Sequence, residues 1–169
     1  MPHSAALNTN LLRLEVDASG VATVWIDDPD ATVNTISGDT LDGFSEVLGH
    51  LEQMSGLAGV VFISAKEASF VVGADLKMLQ RAESPTEIRS LSRRAHRLLW
   101  RIDTLDVPTV DAIEGPCMGG GLELALGCSY RLASTHEATR LALPEVKLGL
   151  LPGGGGTQYL PRLVGVQES

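Results

Sequence analysis

Two acidic residues stand out because of what surrounds them. Glu123 follows Gly119-Gly120-Gly121-Leu122 and is flanked by Leu122, Leu124, Ala125 and Leu126, so an acid is set in the first turn of an otherwise apolar helix. Glu145 follows the short apolar run Leu141-Ala142-Leu143-Pro144. A carboxylate accepts hydrogen bonds and exchanges protons, so two of them around one water can act as general base and acid. Each also has an ordinary reading: a first-turn acid is stabilised by the helix dipole, and a loop acid is simply solvated. The glycines ahead of Glu123 offer bare backbone N–H groups at a helix N-terminus, which suit an oxygen that gains charge during a reaction. Their alternative is a tight strand-to-helix connection in which side chains would clash.

Other chemistries fit less well. The spacing from Gly115 to Gly120 matches the opening of a phosphate-binding loop, but Gly121-Leu122 stands where Lys and Ser/Thr are required. The dinucleotide pattern fails as well, because Leu124 and Gln158 occupy the third glycine positions after Gly119/Gly121 and Gly153/Gly155. No Gly-x-Ser-x-Gly elbow is present, and His3, His50, His96 and His136 stand apart from the glycine-rich segments. Cys117 and Cys128 lack metal-ligand spacing and form no disulfide framework, so no metal is expected and a reducing compartment fits. Arg89, Arg93, Arg97 and Arg101, with Arg94 beside them, form a stripe at helical spacing. It reads either as a solvated helix face or as an attractor of phosphates.

The elements that must position these residues follow from patterning. With 169 residues, 44% of them hydrophobic, the chain suffices for one domain with a real core. Only seven residues are aromatic, so that core is aliphatic. Thirteen basic against 21 acidic residues give a net charge of −8, which argues against a nucleic-acid partner. The polar start and the short length of the most apolar stretch, Pro116 to Tyr130, point to a soluble cytoplasmic protein. Leu11 to Val16 and Val21 to Ile26 flank Ser19-Gly20 and predict a hairpin. Leu41, Phe44, Leu48 and Leu51 predict a helix of about four turns ending near Gly56. Val60 to Ile63 reads as a strand buried on both faces. Ser84-Pro85-Thr86-Glu87 opens a helix with a capping box, and Pro108 closes it. Thr109 to Ile113, Tyr130 to Ala133 and Arg140 to Leu143 read as further strands, with a second glycine-rich loop at residues 153–156. Strand pairs followed by helices make the fold α/β or α+β.

Three segments in order carry a specific resemblance. Phe70-Val71-Val72-Gly73-Ala74-Asp75-Leu76-Lys77, Gly115-Pro116-Cys117-Met118-Gly119-Gly120-Gly121-Leu122-Glu123-Leu124-Ala125 and the run from Leu143-Pro144-Glu145 to Gly156-Thr157-Gln158 resemble the crotonase (enoyl-CoA hydratase/isomerase) superfamily. Val33-Asn34-Thr35 with Phe44-Ser45-Glu46-Val47 is similar to the hydratase portion of the fatty-acid oxidation complex alpha subunit. The resemblance implies a crotonase-like spiral of repeated ββα units. It implies an oxyanion hole from the N–H groups of Ala74 and Gly120, with Glu123 and Glu145 as the catalytic pair. Val72, Ala74, Leu76 and Lys77 would border the CoA moiety. The implied substrate is an acyl-CoA thioester, with CoA as part of the substrate and no separate cofactor. The implied reaction is hydration of trans-2-enoyl-CoA in β-oxidation. Isomerisation of 3-enoyl-CoA and a non-catalytic acyl-CoA-binding or assembly role are the alternatives.

Residues 1–13 read as an N-terminal extension that runs into the first strand, and residues 14–166 as the hydratase core. The resemblance further implies that C-terminal helices completing the acyl pocket and the subunit contacts lie past Ser169. The expectation that follows is a homo-oligomer, or a subunit of a fatty-acid oxidation complex, and weak activity for these 169 residues alone.

Overall fold

The computed structural model describes residues 7–169; the first six residues of the expected N-terminal extension, and His3 with them, lie outside the described residues. Strands β1 (Leu7–Asn8), β2 (Leu12–Val16) and β3 (Val21–Ile26) form an antiparallel meander. The turn between β2 and β3 is held by Asp17, whose Oδ1 accepts from the N–H groups of Ser19 and Val21. From β3 onward the chain repeats one move: a strand in the large sheet, a short strand in a second layer, then a helix. The turns comprise β3, β4 (Asn34–Ile36) and α1 (Gly38–Leu51); β5 (Gly59–Ser64), β6 (Val71–Ala74), α2 (Leu76–Arg81) and α3 (Pro85–Asp103). They continue with β7 (Thr109–Ile113), β8 (Pro116–Met118) and α4 (Gly120–Gly127), then β9 (Tyr130–Ala133), β10 (Arg140–Ala142), a 3-10 turn at Glu145–Leu148 and α5 (Gly156–Val164). The large sheet has the order β1-β2-β3-β5-β7-β9, with β3, β5, β7 and β9 mutually parallel. The second layer is made of two parallel pairs, β4 with β6 and β8 with β10.

The expected hairpin, the strands Thr109–Ile113 and Tyr130–Ala133, and the helix opening at Ser84 all form. Ser84 caps α3 by accepting from Glu87 N–H, but the Glu87 carboxylate accepts from Glu83 N–H rather than closing a box on Ser84. α1 stops at Leu51, short of Gly56, because Leu51 is the last residue of its buried face. β5 is buried through Val60 and Phe62 while Val61 and Ile63 are half-exposed, so only one face of this strand lies in the core. The second glycine-rich segment, residues 153–156, leads directly into α5, which begins at Gly156.

α1 and α3 pack on each other and close the core over Phe44 and Phe62, whose ring centroids are 6.0 Å apart. Arg94 bridges the two helices to Asp42 and Arg101 to Glu52, which separates them from the rest of the arginine stripe; Arg89, Arg93 and Arg97 face solvent. The buried Asn34 side chain stitches the two layers together. Its amide donates to Ile26 O, Phe70 O and Ser64 Oγ, and its Oδ1 accepts from Asp28 N–H. Among the described residues, no helix is long and apolar enough to cross a membrane.

One charged position sits inside this architecture. In register across the sheet run Val24, Phe62, Asp111 and Arg131. Asp111 is 0% exposed and, among the described residues, neither of its carboxyl oxygens has a hydrogen-bond partner. Burial pushes its pKa well above the ordinary carboxylate range, against the pull of Arg131, and its neighbours Cys117 and Cys128 are pushed up as well. Arg131 is itself turned to the end of α4, donating to Ala125 O and Cys128 O. The native state therefore holds a proton that the unfolded chain releases, so stability falls as pH rises from the ordinary carboxylate range up to the raised pKa. The slope reaches at most about 1.4 kcal/mol per pH unit. Denaturant titrations of the wild type and Asp111→Asn at a series of pH values check this. The difference between the two profiles should carry the slope, and identical profiles would refute it.

Candidate active site

The glycine-rich connection between β8 and α4 is shaped by close approach. A Cβ on Gly121 would lie 2.1 Å from the carbonyl oxygen of Val71, so α4 can dock on β6 only with a glycine there. Gly119 turns the chain with φ +51° and ψ −121°, and it supplies no side chain to cap α4. Its own N–H is occupied by Ala142 O at 2.9 Å. As the first residue of the helix, Gly120 cannot place its N–H in an intrahelical bond.

β6 brings Ala74 to the same spot. Asp75 N–H donates to Ile36 O on β4, so by strand alternation the N–H of Ala74 faces the opposite edge, where α4 begins. A Cβ on Gly120 would stand 3.8 Å from the Ala74 nitrogen. Two amide groups from different turns of the spiral thus meet at one point. Asp75 then caps α2 by accepting from the N–H groups of Lys77 and Met78.

Glu123 lies one helical turn beyond Gly120 and is 5% exposed. Its Oε1 accepts from the N–H groups of Gly154 and Gly156, each at 2.8 Å. These donors come from the second glycine-rich segment, and a Cβ on Gly154 would sit 2.7 Å from Glu123 Oε2. Glu145 opens the 3-10 turn after β10, and its Oε1 would be 2.8 Å from a Cβ on Gly119. Its Oε2 is buried without a hydrogen-bond partner among the described residues. Burial raises the Glu145 pKa above its ordinary value, and the nearby Glu123 charge adds to the rise.

Both glutamates, Ala74 and Gly120 line one cavity of about 250 Å³, together with Val72 and Leu76. The rest of its wall is largely apolar and includes Ile36, Leu41, the face of α3 with Leu91, Leu98 and Leu99, and leucines that follow Glu145. Lys77 is the exception among the expected site residues. It is exposed and its side chain stays outside the cavity lining. Reading the sequence alone missed the amides of Gly154 and Gly156 as the groups that hold Glu123, although the glycine run pointed to bare backbone. It also left α3 as an apolar face without showing that half of it walls the site.

Comparison with known proteins agrees with this fold. The family model described as enoyl-CoA hydratase/isomerase matches residues 17–169. A curated relative, fatty acid oxidation complex subunit alpha of Idiomarina loihiensis, is 46% identical over 155 residues, covering 92% of this chain. The chain spans 22% of the length of that relative. Among solved structures, an enoyl-CoA hydratase from Bacillus anthracis superposes with a TM-score of 0.86 at 29% identity, covering 95% of this chain and 60% of the other. Pseudomonas aeruginosa DspI superposes at 0.87 with 33% identity, covering 98% of this chain and 66% of the other.

Proposed function

The chain belongs to the enoyl-CoA hydratase/isomerase family, and from that premise we propose that it adds water across the 2,3 double bond of a trans-2-enoyl-CoA. The observation that carries this reading is the convergence of two amide donors and two carboxylates on one apolar-walled cavity. The thioester oxygen accepts from Ala74 and Gly120 N–H, which stabilise the enolate as charge moves onto that oxygen. Glu123, an acceptor to two amides, takes a proton from water as its oxygen bonds to C3. Glu145, whose raised pKa favours the protonated form, delivers a proton to C2. The product is the 3-hydroxyacyl-CoA, and transfer of a proton from Glu123 to Glu145 resets the pair. The acyl chain lies along the apolar wall, and Val72 and Leu76 border the pantetheine. A place in fatty-acid β-oxidation, as a homo-oligomer or within a fatty-acid oxidation complex, is part of the same proposal.

Assays of crotonyl-CoA hydration and of 3-enoyl-CoA conversion, run side by side, test the reading. Loss of crotonyl-CoA absorbance with formation of the 3-hydroxy product supports it. Conversion of 3-enoyl-CoA without hydration would replace it with a double-bond isomerase. Acyl-CoA binding with neither activity would leave a non-catalytic binding module.

A further inference from the structure

One side chain on the cavity wall of α3 hydrogen-bonds the glycine segment that holds the carboxylate of Glu123. Ser92 lies on the face of α3 that lines the cavity, and its hydroxyl donates to Gly153 O at 2.5 Å. Gly153 immediately precedes Gly154, which with Gly156 donates to Glu123 Oε1. Gly153 is exposed and no other side-chain hydrogen bond reaches it among the described residues. A run of glycines is the part of a chain with the most conformational freedom to lose, so the segment depends on its tethers to keep two amides aimed at one oxygen.

We infer that Ser92 is a positioning residue: its hydroxyl fixes residues 153–156 so that the Gly154 and Gly156 amides orient Glu123 toward the cavity. The inference rests on the hydratase reading for its catalytic consequence, but its structural half stands independently. Ser92 is only half-buried and on the wall rather than beside the two amide donors, so removing its hydroxyl leaves the thioester-binding groups unchanged. The effect therefore falls on the chemical step. A carboxylate displaced by a fraction of an ångström loses rate far more than it loses binding.

Three readouts separate this from a general packing role. In Ser92→Ala, kcat for crotonyl-CoA hydration should fall about tenfold while KM stays within about twofold. Ser92→Thr, which keeps the hydroxyl, should restore most of kcat. In a Glu123→Gln background the same Ser92→Ala change should cost less than about twofold, because the group it serves is already disabled. Amide hydrogen exchange supplies a measurement independent of turnover: Gly154 and Gly156 should exchange faster in Ser92→Ala and return to wild-type protection in Ser92→Thr. Unchanged exchange at both glycines would overturn the inference, as would faster exchange with unaltered kcat. A wild-type protein inactive on every enoyl-CoA would instead sink the hydratase reading, while the exchange result would still decide whether Ser92 holds the glycine segment.

Discussion

Glu145→Gln is expected to lower kcat for hydration by about 10²- to 10⁴-fold with little change in binding of the CoA ester. Gln keeps the shape and the hydrogen-bonding capacity but has no proton to give. Glu123→Gln should fall in the same range because it cannot accept the proton of water. The double variant should lose far less than the product of the two, since either change alone leaves a pair that cannot complete the proton cycle. The pH profile provides a sign test. In the proposed mechanism Glu145 acts in its protonated form, and its pKa is raised by burial, with the Glu123 charge adding to the rise. Wild-type kcat should therefore decline as pH climbs through that raised value, and the residual rate of Glu145→Gln should lack the decline. Near-normal hydration by Glu145→Gln, with isomerisation abolished, would show that the roles are assigned wrongly.

Gly120→Pro should abolish about 10²- to 10³-fold of the rate on any thioester substrate. The ring removes the N–H assigned to the thioester oxygen in the proposed mechanism, at a helix position where proline is otherwise well tolerated. Space is available: the nearest atom to a Cβ on Gly120 is Ile36 Cγ1 at 3.3 Å, a side-chain atom able to shift by a few tenths of an ångström. Circular dichroism should be native. A folded and fully active Gly120→Pro protein would remove this amide from the mechanism.

Much of the large sheet was legible because its strands carry strong local signals. Thr109 to Ile113 lies between Pro108 and Gly115, and Ser84-Pro85 marks the start of α3 without help from tertiary contacts. Of the second layer only β10 was, as the strand read from Arg140 to Leu143. β4, β6 and β8 are three or four residues long, too short to show a period, and are held by pairing with distant partners. α5 begins in glycines and contains Pro161, so local propensity argued against a helix that tertiary packing on α4 nonetheless forms. For the site, the motifs pointed to Glu123, Glu145, Ala74 and Gly120, which the structure brings to one cavity, whereas what holds them there was not legible. The amides on Glu123 come from more than thirty positions downstream, and nothing local in either segment announces the contact. The arginine stripe shows the same limit: Arg94 and Arg101 differ from Arg89, Arg93 and Arg97 only in that α1 happens to lie beside them.

The meeting of Ala74 and Gly120 across two turns of the spiral has a kinetic consequence. Each amide belongs to a unit that can form its own strand and helix contacts, yet neither unit alone contains a place to stabilise an oxyanion. Parallel strand pairing requires long loop closures before its contacts repay the lost chain entropy, so such layers assemble late and slowly. On the proposed mechanism, catalytic competence is therefore a property of the docked stack rather than of any segment. A local opening between the second and third turns would separate the two amides while leaving most of the secondary structure intact.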